Sequence, residues 1–230
     1  MGSQEGHVFL EEHFGERHWF FALAGLNLFV PVVFLGIFES LGVPTVFEAV
    51  VMGGLAWMVA FALRSPLGLT WQEIRLDHWR MLGFGPLKQG ILLLLLVLTS
   101  RALPWAVSVG LGWITADAVW SIWDGSVALN PKVNSQDRQD WLRGSFTSQV
   151  SQNRPPHLGT AELLMSAATQ MGLILLLQAS PWWIVFTAPV QALACWGKAE
   201  LSRRSVPWAL AVAGAAGASV FLFGWFVPIR

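Results

Sequence analysis

Apolar residues run through this chain in blocks rather than in alternation. Clear blocks cover residues 19–38, 45–63 and 206–227, and two longer ones cover 89–123 and 161–197. A membrane-spanning helix takes about 20 mainly apolar residues, so each long block is too long for one crossing and accommodates two. Both carry a break, Ser100-Arg101-Ala102-Leu103-Pro104 in the first and Ser180-Pro181 in the second. Proline suits the first turn of a helix, where its missing N–H would go unsatisfied anyway. The pattern therefore predicts an all-α, polytopic transmembrane helical bundle of about seven spans. Residues 1–18 form a cytoplasmic N-terminal segment, and 19–230 form a single transmembrane domain.

Charge tests that reading independently. Seven spans put the N-terminus and loops 64–88, 124–160 and 198–205 on one side. That side carries Arg17, four basic residues in 64–88, four in 124–160 and three in 198–205; only Arg101 and Arg230 fall on the other. Positive charge marks the cytoplasmic side, so the expected orientation is N-terminus cytoplasmic and C-terminus outside. Five spans would split the basic loops between the two sides. The first 18 residues are acidic rather than basic, unlike the start of a cleaved signal peptide, so the first block is expected to stay as an anchor.

Composition agrees. The chain is 54% hydrophobic and 12% charged, with a mean hydropathy of +0.54; a soluble domain carries about a quarter charged residues. Zero net charge gives no reason to expect a nucleic-acid partner. The lone Cys195 excludes an intramolecular disulfide and reads as a small hydrophobe. Fourteen tryptophans without a tyrosine, and arginine far above lysine, fit a GC-rich, hence bacterial, genome. Tryptophans at expected helix ends, such as Trp19, Trp105, Trp123 and Trp208, fit an interfacial belt.

The segment 65–88 mixes Trp71, Ile74, Trp79 and Leu82 with charges and is expected to hold an interfacial helix. Loop 124–160 is polar, with Asn130-Pro131 and Pro155-Pro156 as breakers and room for one short helix near 137–146. Thr160 with Glu162 is the expected cap of the fifth span.

The candidate chemistry is sparse. Trp113, Asp117, Trp120 and Asp124 recur on one helical arc. Asp124 falls at the interface, whereas Asp117 lies about 9 Å inside the expected cytoplasmic helix end, where a carboxylate is costly. Two readings are open for it: a structural acid bonded to Ser121, Thr115 or the pair Thr169 and Gln170, or a proton, cation or substrate carboxylate. Glu48, early in the second span, is the other internal acid and is expected to reach the outer interface; Arg101 is expected to be a loop charge, with pairing to Glu48 or Glu39 as the alternative. Asn27 and Pro31 suggest a kink with one interhelical hydrogen bond. In the last helix, Ala213, Gly214, Gly217 and Ala218 supply small residues four apart that let helices approach closely.

His7, Glu11 and His18 share a helical face, but the two histidines stand about 16 Å apart on a straight helix and cannot chelate one ion. No metal site is expected. There is no phosphate loop, dinucleotide fingerprint or zinc-protease motif, and no motif requires a cofactor; bound pigment or lipid stays open. The leading expectation is a non-enzymatic accessory, scaffold or assembly subunit of a larger membrane complex in a bacterial inner membrane. Its partners would be the bilayer, other membrane subunits or a second copy. The alternatives are a small proton- or cation-coupled transporter or channel using Asp117, with Glu48, Gln170 and Gln191 along the path, and a lipid-modifying membrane enzyme.

Overall fold

The computed structural model of the 230-residue chain describes residues 16–64, 78–100, 102–129, 156–193 and 206–226. Among these the fold is all-helical, with no strand. The helices are α1 (Glu16–Ser40), α2 (Phe47–Arg64), α3 (His78–Leu98), α4 (Leu103–Leu129) and α5 (Pro156–Ala179). A 3-10 turn, Pro181–Trp183, leads into α6 over 184–193, and α7 is Val206–Phe226.

Both expected breaks are present. Ser180 caps the 3-10 turn, its hydroxyl accepting from Trp182 N, with Pro181 in the first position. Between α3 and α4, Ser100 Oγ accepts from Ala102 N and Thr99 Oγ1 accepts from Trp105 Nε1 at 2.9 Å. The turn after α1 is closed by Gly42 at φ 76°, a conformation that favours glycine. Val43 N bonds Phe38 O and Gly42 N bonds Glu39 O, and the Phe38 and Val43 side chains are buried in one cluster. That is a Schellman ending with its hydrophobic contact.

Three helix ends differ from expectation. Helix α3 begins at His78, so 78–88 continue it rather than forming loop; the rest of the expected interfacial helix, 65–77, lies outside the described residues. Helix α4 runs past Trp123 to Leu129. Helix α5 begins at Pro156, so Thr160 lies inside it and cannot be its cap. Pro156, read as a breaker, occupies the first helical position, where proline is favoured. Hydropathy marks where a helix is apolar, and a backbone ladder continues into polar turns without it. Pro31 is accommodated within α1.

Helices α4 and α5 form the centre. Residues 106–114 of α4 and 170–177 of α5 are buried without interruption, the signature of helices enclosed on all sides. One core joins α2, α3, α4 and α5 through Trp57, Leu92, Leu96, Trp113 and Ile174. The other joins α1, α4 and α5 through Phe34, Phe38, Ile114 and Met171, with Phe221 and Trp225 of α7 against it. Phe34 packs on Phe221 and Phe38 on Trp225, so α1 and α7 run parallel. Asn27 of α1 bonds Ser121 of α4, while Phe34 and Phe38 lie by the earlier part of α4; those two run antiparallel.

Glycines set the closest crossings. A Cβ on Gly53 would overlap the backbone of Val109, and one on Gly112 the backbone of Val50. Helices α2 and α4 thus meet backbone to backbone, and just before α2 Ser108 Oγ of α4 accepts from Val46 N at 2.8 Å. On the far side, a Cβ on Gly172 of α5 would stand 2.5 Å from Val220 O of α7. Among the described residues, no helix is long and apolar enough to cross a membrane.

The crossings make a direct prediction. Gly53→Ala and Gly112→Ala should each destabilise by about 1–3 kcal/mol or more through overpacking against backbone. Gly25→Ala and Gly36→Ala, with nothing within 4 Å of the added carbon, should be neutral or stabilising by about 0.5–1 kcal/mol. Thermal unfolding of the purified variants measures both.

Candidate functional site

Asp117 stands near the midpoint of α4, twelve residues before Leu129 (129 − 117), not six from the helix end as expected. Its side chain is half-buried. Oδ1 accepts a hydrogen bond from Trp57 Nε1 of α2 at 2.5 Å. The glycine crossing brings that indole within reach: Trp57 stands four residues after Gly53, and Asp117 five after Gly112.

Trp57 stacks on Phe61 with centroids 5.2 Å apart, Phe61 lies 4.2 Å from Trp120, and Trp57 lies 6.0 Å from Trp120. Asp117 is therefore backed by three mutually packed rings. The partners expected for it are engaged elsewhere. Ser121 Oγ accepts from Asn27 Nδ2 at 3.1 Å, Thr115 donates to Leu111 O, and Thr169 donates to Met165 O. The Asn27–Ser121 bond is an interhelical bond of the kind expected of α1.

Gln170 belongs to a second constellation. Gln89 of α3 and Gln170 of α5 are both buried, and Gln89 Nε2 donates to Gln170 Oε1 at 3.5 Å. Thr187 and Gln191, one turn apart on α6, are also buried. A Cβ on Gly85, one turn before Gln89, would stand 2.5 Å from Ala192 N, so α3 and α6 touch at this level. Gln89 Oε1, Gln170 Nε2, Thr187 Oγ1 and Trp113 Nε1 have no hydrogen-bond partner among the described residues. Each such buried group costs about 1–3 kcal/mol, so this layer is the least satisfied part of the interior.

The remaining candidates separate. Glu48 lies exposed in the first turn of α2, where a carboxylate is favoured by the helix dipole. Glu39 is exposed at the end of α1, and Arg101 lies outside the described residues. On α7, Gly217 faces Met165 O and Thr169 Oγ1 at 2.8 and 2.9 Å from a built Cβ, and Gly214 faces the Met165 side chain. That stripe is used inside the bundle, against α5. Ala218 faces outward, and the side chain of Ala213 lies outside the described residues. So do the side chains of Asp124 and His18, and the whole of His7, Glu11, 137–146 and Cys195. Among the described residues no group of three or more His, Cys, Asp or Glu is arranged to hold a metal ion.

Sequence reasoning missed Trp57 and Gln89. Each sits inside or at the edge of an apolar block, and only the crossing of two helices gives it a partner. No protein-family model matches the chain, and neither a curated protein nor a solved structure shows a detectable match to it. What the fold and these two constellations define is a helical bundle with polar side chains packed in its interior.

The Trp57–Asp117 bond needs an acceptor oxygen rather than a charge. Asp117→Asn should therefore unfold near the wild-type temperature, while Asp117→Ala should lose about 1–3 kcal/mol by leaving a buried indole N–H unpaired. Equal losses in both variants, measured by thermal unfolding, would show that the charge is what stabilises.

Proposed function

We propose that the chain is an integral membrane protein, non-enzymatic, acting as an accessory, scaffold or assembly subunit of a larger complex in a bacterial inner membrane. One observation carries the membrane reading: large apolar side chains cover the outside of the bundle as well as its core, while several polar side chains are buried. Outward-facing residues include Trp182 at 83% exposure, Phe47 at 75%, Val185 at 74% and Leu98 at 72%. Buried residues include Asn27, Gln89, Ser108, Gln170, Thr187 and Gln191. Monomeric soluble proteins rarely expose contiguous apolar surface on this scale, and polar side chains facing a bundle interior are the pattern of helices packed in lipid.

The reading rests on which way side chains face, not on the average hydropathy of a single helix. Such averages count the glycine, tryptophan and amide residues of the inward faces, which lipid never meets. Small residues at the crossings support it further, because helix association in lipid relies on close packing rather than on apolar burial. The orientation proposed is N-terminus in, following the twelve basic residues on that side.

An architectural role is supported by how the polar groups are used. Asp117 is held by an indole, and Gln89 faces Gln170, so these side chains join helices to one another. A proton- or cation-coupled transporter built on Asp117 is the second reading, favoured by the acid's mid-helix position; it requires that Asp117→Asn abolish transport in a folded protein.

The first test is extraction. The protein should stay with the membrane pellet through alkaline carbonate and be released only by detergent; release by carbonate alone would overturn the membrane reading. Mild-detergent purification with mass spectrometry and an absorption spectrum then tests the subunit role. Stoichiometric partner subunits are the expected result, and a solitary protein would contradict it.

A further inference from the structure

We propose that the layer between α3, α5 and α6 is an internal binding site for a small uncharged molecule that both donates and accepts hydrogen bonds, water-sized and held between Gln89 and Gln170. This goes beyond the subunit reading and does not depend on any partner.

A glutamine side chain offers two donors and an acceptor oxygen with two lone pairs. Gln89 is fully buried and Gln170 is 4% exposed, and the one hydrogen bond between them is 3.5 Å long, at the outer limit of such contacts. It leaves Gln89 Oε1 as an acceptor and Gln170 Nε2 as a donor, neither with a partner among the described residues. Reversing both amides exchanges the roles without removing either orphan. A third molecule that offers a donor to Gln89 Oε1 and an acceptor to Gln170 Nε2 satisfies both at once.

The surroundings narrow its chemistry. Trp113 Nε1 is a further buried donor without a partner among the described residues, and Thr187 Oγ1 a group able to donate or accept. Gly110, one turn before Trp113 on α4, faces Met171 and Ile174 of α5, beside Gln170. Thr187 stands on α6, which touches α3 at Gly85, one turn before Gln89. Among the described residues the buried polar side chains are amides, hydroxyls and an indole, with no charged group. A neutral molecule that both donates and accepts matches the donors and acceptors left there. Buried water typically makes about three hydrogen bonds to otherwise unsatisfied groups, and the two glutamines supply an acceptor and a donor for it.

The test is NMR of [15N]glutamine-labelled full-length protein in detergent micelles. The Gln89 and Gln170 side-chain amides are assigned by their loss in Gln89→Met and Gln170→Met, whose unbranched side chains keep the volume. Both amides should show direct cross-relaxation with water protons despite their burial. Each substitution should abolish that contact at the remaining amide. Absence of water contact at both in the folded wild type would overturn the proposal, as would contact at one that persists unchanged without the other. If a methionine variant does not fold, Gln89→Glu and Gln170→Glu supply the assignments, and the wild-type water contacts alone decide.

Discussion

Helices α2 and α4 meet without side chains between them. Gly53 lies on the backbone of Val109 and Gly112 on the backbone of Val50, so a single methyl group on either would force the pair apart. Much else follows from that contact. It brings Trp57 to Asp117, lets Phe61 and Trp120 pack around the indole, and puts Ser108 where its hydroxyl takes the N–H of Val46 at the start of α2. Gly172 and Gly224 do the same for α5 and α7 on the opposite side. The central pair α4 and α5 is thus clamped between two glycine-lined crossings.

Close backbone approach also explains where the polar groups lie. When helices are drawn together by close contact, inward positions can carry amides and hydroxyls among the apolar residues of the core. Asn27, Ser108, Gln170 and Thr187 lie inside in this way, while Phe47, Leu98, Trp182 and Val185 lie outside. Interior amides that join α3 to α5 fix which helices are neighbours, but only where their remaining hydrogen-bonding capacity is met. The two constellations differ in that respect: Asp117 has a close donor, and the glutamine layer has atoms still to be satisfied.

The order and helical nature of the elements was legible in the sequence because hydropathy blocks, prolines and serines are local signals. Ser180-Pro181 and the Ser100–Pro104 break could be read directly. Helix ends were less legible: the turns before Lys88 and after Trp123 mix apolar with polar or glycine residues and fall outside the continuous apolar blocks, and Pro156 starts a helix where it read as a breaker. The sites were the least legible. Asp117 stood out because a lone acid in an apolar block is anomalous, yet its partner was an unremarked tryptophan sixty residues away. Gln89, at the edge of an apolar block, carries no local signal that sets it apart. The small residues of α7 were visible, but Gly53, Gly85, Gly112 and Gly172 were not distinguishable from other glycines, since nothing local says which one a neighbouring helix will press against.

The central claim is that the apolar exterior of this bundle is solvated by lipid. Spin labels placed singly at Met58, Leu94 and Val185, which all face outward, in protein reconstituted into vesicles, test it most directly. The account predicts that power saturation reports high accessibility to oxygen and low accessibility to a water-soluble nickel chelate at all three positions. Ready access of the nickel chelate to these sites would contradict it.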